Sequence, residues 1–399
     1  MATTTTPTPS STSSARTLAL FLLPILLLAG VIALFLATNG AGLNVEPAAP
    51  IETVQFGRTI LRPDQIELHL RNTSPQDVTI AQVNINDAIW PFEISPSATI
   101  PRLGSAVVTL DYPWVEAQAY GISLFSTNAV AFGTEIPVAT TTATASAATL
   151  WSFTLVGFYV GVIPVVLGML WLPAIRRLGP RAMTFLMAVT VGLLIYLGID
   201  ATTEALELGA ELEGPFQGVG LVGIGIVSTV LLLDAISRRQ MGIGRSESGQ
   251  RMTLASMVAV GIGLHNLGEG LAIGAAYAVG AAALGAFLVI GFIIQNITEG
   301  LGVVAPISKD KPSLRSLALL GLVAGAPAIV GAWVGGLIYS PVLSVLFLAI
   351  GAGAVYQVAY AIGRQMIWKD GAQQPMPMTA FAGITAGMLI LFVTGLVIK

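Results

Sequence analysis

The sequence predicts an all-α polytopic membrane protein that carries a small β-sandwich outside the lipid. Three observations predict this class. Of the 399 residues, 54% are apolar and 10% charged, against roughly 25% charged in an ordinary soluble domain. Between residues 150 and 398 stand eight apolar segments, each near the ~20 residues that cross ~30 Å of hydrocarbon. Residues 45–137 instead alternate apolar and polar positions between turn signals, the period-2 pattern of strands.

Composition also excludes. A net charge of −3, with 18 Lys and Arg spread over the chain, leaves no basic stripe for nucleic acid. The absence of Cys removes disulfides, iron–sulfur clusters and thiolate zinc sites. Any metal must therefore be held by oxygen and imidazole, and the chain has two His.

In chain order, residues 1–16 are almost wholly Ser, Thr, Pro and Ala and read as a disordered head. Residues 17–37 form an apolar run longer than the ~7–15 residues of a cleaved signal's core, so they read as a retained transmembrane signal anchor. Cleavage near Ala37 is the alternative. The β-module, 45–137, has its clearest strands at 65–71, 77–84, 106–112 and 120–126. That size is common to many modules and fixes no function or ligand; its His69 reads as an ordinary surface histidine. A Thr/Ala/Ser linker, 138–149, leads to the apolar core, 150–399. Its eight helices are expected at about 150–172, 182–200, 216–236, 254–277, 281–305, 317–338, 342–362 and 379–398; they are numbered core helices one to eight.

Charge orients them. The loops after helices one, three, five and seven hold 12 of the 18 cations, Arg245 among them, and the loops after two, four and six hold none. The positive-inside rule places the first set in the cytoplasm. The N-terminus is then cytoplasmic, and residues 45–137 and the C-terminus are extracytoplasmic, in a plasma (inner) membrane protein. An anchor entering from the cytoplasm gives the same topology.

Intramembrane charge costs about 3 kcal/mol or more per group, so each instance needs a reason. Asp234 stands four residues before Arg238 and reads as its helix-face partner. Asp200 and Glu204, with Glu207, Glu211 and Glu213, form an acidic rim at the outer end of helix two. They read either as a cation entrance or as a solvated acidic loop. His265, Glu269 and Glu299 lie well inside the lipid zone. Helix four reads His265-Asn266-Leu267-Gly268-Glu269-Gly270 and helix five Gln295-Asn296-Ile297-Thr298-Glu299-Gly300. The shared x-N-x-x-E-G pattern, on antiparallel helices, is an inverted repeat of the kind that builds midplane sites in transporters.

In each hexapeptide the first residue and the Glu are four apart, about 40° around the helix, and face one way. His265, Glu269, Gln295 and Glu299 thus supply an imidazole, two carboxylates and an amide oxygen, a set suited to Zn²⁺ or a similar divalent ion. Two carboxylates balance one divalent charge. The bland alternative is an interhelical hydrogen-bond network with protonated Glu.

These hexapeptides resemble those of the ZIP (Zrt/Irt-like protein) family of divalent-metal transporters, prokaryotic type, in helices four and five; the resemblance covers residues 150–399. It implies an eight-helix bundle that carries metal inward by moving one helix group against another. His265, Glu269, Gln295 and Glu299 would form the transport site, with Asn266 and Asn296 lining a possible second metal site. The expected substrates are Zn²⁺, or Fe²⁺, Mn²⁺ or Cd²⁺, with no cofactor beyond the transported metal. The partners are that ion and the bilayer, and a homodimer is compatible. The family's proline in each hexapeptide is Gly268 and Thr298 here. With His265 and Gln295 near one depth, straight helices set Glu269 and Glu299 roughly 13 Å apart, so both helices are expected to bend or open near Gly263, Gly268, Gly270 and Thr298. Helix six has Ala326-Pro327 where relatives place an acid before proline, and Asn296 replaces an Asp, so one ion per site is expected. The 237–253 loop has no His. Two rivals remain, an intramembrane metal-dependent hydrolase and a receptor acting through the β-module. HNxxE spacing with one His in the membrane argues against the first.

Overall fold

The computed structural model describes residues 14–38, 51–142, 145–210, 212, 217–241, 246–278, 282–338, 340–369, 372–373 and 375–398. Residues 1–13 of the expected head, 45–50 of the module, 143–144 of the linker, and Glu211, Glu213 and Arg245 lie outside them. Two compact units result, Met1–Ile51 and Glu52–Lys399.

Among the described residues, the first unit contains the helix Ser14–Ala37, three residues longer at its start than expected. Its side chains from Leu22 to Phe35 are mostly exposed leucine, isoleucine, valine and phenylalanine.

The second unit opens with β1 (Val54–Arg62), β2 (Gln65–Asn72), β3 (Val78–Ile85), β4 (Ala88–Trp90), β5 (Glu93–Ser95), β6 (Thr99–Ile100), β7 (Ser105–Leu110), β8 (Tyr120–Ser126) and β9 (Ala131–Ile136). One antiparallel sheet has the order β1-β2-β7-β5, the other β4-β3-β8-β9 with β6 on β3. Alternation decides their inner faces: Ile66, Leu68 and Leu70 of β2 and Val83 and Ile85 of β3 are buried in one apolar cluster. Gln65, Glu67, His69 and Arg71 consequently lie on the opposite face of β2.

Eight helices of the second unit are long and apolar enough to cross a membrane. Helix one runs through Ala147–Gly157, a π-helical turn at Phe158–Val162, and Ile163–Met169 to Ile175. Helix two is Pro180–Ala210, helix three Gly218–Met241, helix four Glu247–Ala278 and helix five Ala282–Val304. Helix six is broken into Leu314–Gly325 and Pro327–Ile338; helix seven is Pro341–Ile367 and helix eight Met378–Ile398. The break follows from Pro327, which cannot donate to the carbonyl four residues earlier.

Helix two runs ten residues further at its C-terminal end than expected because 201–210 is rich in Ala, Leu and Glu, all good helix formers. This corrects the reading of Glu204 as a loop acid: it stands on the helix, four residues from Asp200 and on the same face. Helices one, four, five and six pack among themselves, as do two, three, seven and eight, and helix seven against helix four is the main contact between the two sets.

Candidate metal centre

Helices four and five are continuous through both hexapeptides, so neither helix opens there as one form of the expectation had it. Neither contains proline, so the i−4 ladder has no missing donor, and the Thr298 hydroxyl donates to the Gln295 carbonyl at 2.6 Å without opening the helix. The acids are drawn together by side chains that reach along the helix axes. Gln295 Nε2 donates to Glu269 Oε1 at 2.7 Å, and Asn296 Nδ2 to Glu269 Oε2 at 2.9 Å. Gln295 thus reaches toward both teeth of the facing helix, Glu269 and His265.

The result is a cluster in which ligand atoms of His265, Glu269 and Glu299 all lie within 4.8 Å of one another. His265 Nε2 is 3.4 Å from both Glu269 Oε1 and Gln295 Nε2. All three residues are buried, and Asn266 and Asn296 have no exposed surface. Gln295 turns its amide nitrogen, not the expected oxygen, toward the centre, because Glu269 is the nearer acceptor.

The irregular backbone lies in the neighbouring helices, which sequence reasoning missed. Asn266 Nδ2 donates at 3.0 Å to the Ala324 carbonyl, beside the break before Pro327. Asn296 Nδ2 donates at 3.0 Å to the Val160 carbonyl, inside the π-helical turn of helix one. Both helix defects expose carbonyls that an ordinary α-helix would use internally. The closing glycine of each hexapeptide packs on the same neighbour. A Cβ at Gly270 would stand 2.1 Å from the Ala328 carbonyl oxygen, and one at Gly300 2.0 Å from that of Val165. Only a residue without a side chain permits that approach. Each x-N-x-x-E-G segment thus performs the same three tasks: Asn ties to a defect, Gly docks on the following turn, and Glu is left at the centre.

Among the described residues, Asn266 Oδ1, Asn296 Oδ1 and both carboxyl oxygens of Glu299 are buried without a hydrogen-bond partner. All four atoms are acceptors. Each unpartnered buried polar atom costs about 1–3 kcal/mol, so four together demand a donor or a cation.

A cavity of about 20 Å³ adjoins the cluster, lined by His265, Glu269 and Gln295 and also by Asp200 and Glu204. That is room for about one water molecule. Asp200 and Glu204 are thereby brought to the site itself. Asp234 is not: it accepts from Arg238 Nε at 2.6 Å, as its spacing suggested. Beyond the far end of the cluster, Arg251 at the start of helix four grips Asp310 after helix five with two bonds of 2.8 and 2.9 Å. Arg176 Nη2 donates to the Asp310 carbonyl at 2.7 Å. The Arg251 hydrogen bonds hold the Asp310 carboxyl below the usual carboxylate range.

Compared with known proteins, the chain matches no family model and no curated protein.

Proposed function

We propose that the chain carries a divalent transition-metal cation, with Zn²⁺ the first candidate and Fe²⁺, Mn²⁺ or Cd²⁺ as further substrates, across the plasma membrane into the cytoplasm. It does so as a transporter resembling the ZIP family rather than as an enzyme. One observation carries the reading: four buried acceptor oxygens without donors lie on Asn266, Asn296 and Glu299, beside His265 and Glu269. Polar glue between helices pairs donors with acceptors. A surplus of acceptors is what a cation completes, and two carboxylates neutralise a divalent one.

Ligands about 2.1 Å from one ion are about 3.4 Å apart in tetrahedral geometry, so a cluster spanning at most 4.8 Å needs a contraction near 1 Å. Turning the Gln295 amide over replaces its nitrogen by its oxygen and frees Glu269 Oε1, giving the set His265, Glu269, Gln295 and Glu299. Asn266 and Asn296 then hold the frame and, through Oδ1, border a second position with only neutral ligands of their own. One ion is favoured there. Asp200 and Glu204 would attract the cation at the outer approach and hand it to Glu269 across a space the size of one water.

The paired tasks of the two hexapeptides support an inverted repeat, with four on six mirrored by five on one. The division into two helix sets fits inward transport by movement of one set against the other. The loops rich in cations support the cytoplasmic assignment of the Arg251–Asp310 end. The ligands must be deprotonated to bind, so uptake should fall between pH 7.5 and pH 5. The test is flux into proteoliposomes containing a metal-sensitive dye: wild type should transport, and Glu269→Ala and Glu299→Ala should give near-background signals. Equal flux in all three would dismiss the site.

A further inference from the structure

A cavity of about 480 Å³ lies between the outward face of the β1-β2-β7-β5 sheet and the start of helix seven at Ser340, Pro341 and Val342. Strand geometry explains what faces it. With Ile66, Leu68 and Leu70 committed to the sandwich core, His69 and Arg71 must emerge on the other side. The pairing of β1 with β2 shifts register between Phe56 and Thr59, a bulge at Gly57 and Arg58 that re-aims Arg58 toward the same side. Arg58 Nη1 then donates to the Leu337 carbonyl at 2.6 Å, at the negative end of helix six.

The charged side chains among the described lining residues are Arg58 and Arg71; no Asp or Glu is among them. Ser95, Ser105 and Ser340 add hydroxyls. His69, expected to be an ordinary surface residue, lines the cavity too, and its Nε2 is buried without a hydrogen-bond partner. Burial lowers the Arg58 pKa from its ordinary value, and a nearby anion would oppose that effect. The volume falls in the ~300–1,000 Å³ range of small-molecule sites.

We propose that this cavity binds a phosphate-type oxyanion, held by Arg58 and Arg71 with serine hydroxyls completing its shell. Arg is suited to this because its planar fork of N–H donors matches two phosphate oxygens at once. The ligand is either a free phosphorylated molecule or inorganic phosphate, or the headgroup of an anionic lipid reaching up from the leaflet beneath. The site is independent of the metal cluster.

The test uses the full chain in phosphatidylcholine nanodiscs, titrated with inorganic phosphate in metal-free buffer by calorimetry. A second arm reconstitutes it with added phosphatidylglycerol and counts retained lipids by native mass spectrometry. Saturable phosphate binding that Arg71→Gln weakens at least tenfold, and that Glu269→Ala leaves unchanged, supports the site with a free anion as ligand. Phosphatidylglycerol retained by wild type and lost by Arg71→Gln supports it with a lipid headgroup. Arg71 is exposed, so its substitution spares the fold; Arg58→Gln should act in the same direction. If wild type and Arg71→Gln behave alike in both arms, the proposal falls.

Discussion

Two glycines two residues apart in helix four have opposite demands. Gly270 faces the Ala328 carbonyl so closely that a Cβ would stand 2.1 Å from it, whereas a Cβ at Gly268 would meet Leu348 Cδ2 at an ordinary 3.5 Å. Gly270→Ala should therefore destabilise by about 1–3 kcal/mol through overpacking. Gly268→Ala should be neutral or stabilising by up to about 1 kcal/mol, because Ala is the better helix former. Thermal unfolding of the two variants in detergent checks the contrast. Asn266 makes the complementary case. It ties helix four to the break in helix six, so Asn266→Ala should cost about 10–100-fold in metal affinity, the usual effect of removing a residue that orients ligands. Competition against a calibrated metal chelator would measure it. At this scale much was legible in the sequence: intramembrane acids are rare enough that His265, Glu269 and Glu299 identify themselves, and four-residue spacing puts both members of each pair on one face. The partners of Asn266 and Asn296 were not legible, because both are backbone carbonyls, a group every residue has.

At the level of elements, the sequence pattern located the eight core helices but misjudged two features. A straight-helix calculation needs a register and ignores side-chain reach, and hydropathy contains neither; Gln295 and Asn296 both reach Glu269, while Gly270 and Gly300 seat the two helices on neighbouring turns. Helix defects were expected at the two hexapeptides, where the family's prolines are absent, yet they occur beside prolines elsewhere: at Pro327, and at the π-helical turn Phe158–Val162, which contains Gly161 and is followed by Pro164, a residue with no N–H for the Val160 carbonyl that Asn296 takes. Helices four and five are also joined at their far ends by the fork between Arg251 and Asp310. Asp310 has its folded-state pKa lowered, chiefly by that hydrogen bonding. Its contribution to stability is thus fully present above the ordinary Asp value of about 3.9 and is lost as pH falls through the lower folded value. Asp310→Asn should reduce the melting temperature by a few degrees at pH 7, for a pair worth about 1 kcal/mol. The gap should be full at pH 7 and narrow only as pH falls below the ordinary Asp range. Melting curves from pH 7 to pH 3 test both the size and the sign.

For the whole molecule, topology is the most accessible prediction. The natural chain lacks cysteine, so single introduced thiols report without background. Glu116→Cys, on the β-module, should react with an impermeant maleimide added outside intact cells. Gln250→Cys, at the start of helix four, should react only after the membrane is opened. The reverse pattern would invert the protein and with it the proposed direction of transport. The β-module itself was legible as strands because alternation is a local signal, whereas its seat against the core was not, since a surface arginine gives no hint of the carbonyl it will find.

The bond from Arg58 to the Leu337 carbonyl fastens that module to helix six, a member of the set of helices that holds the His265–Glu269–Glu299 cluster. Should that set slide during a transport cycle, the soluble module is obliged to ride with it or let go. A dye on the module and another on helix three would therefore act as a ruler for such a cycle, read in real time without touching the buried cluster.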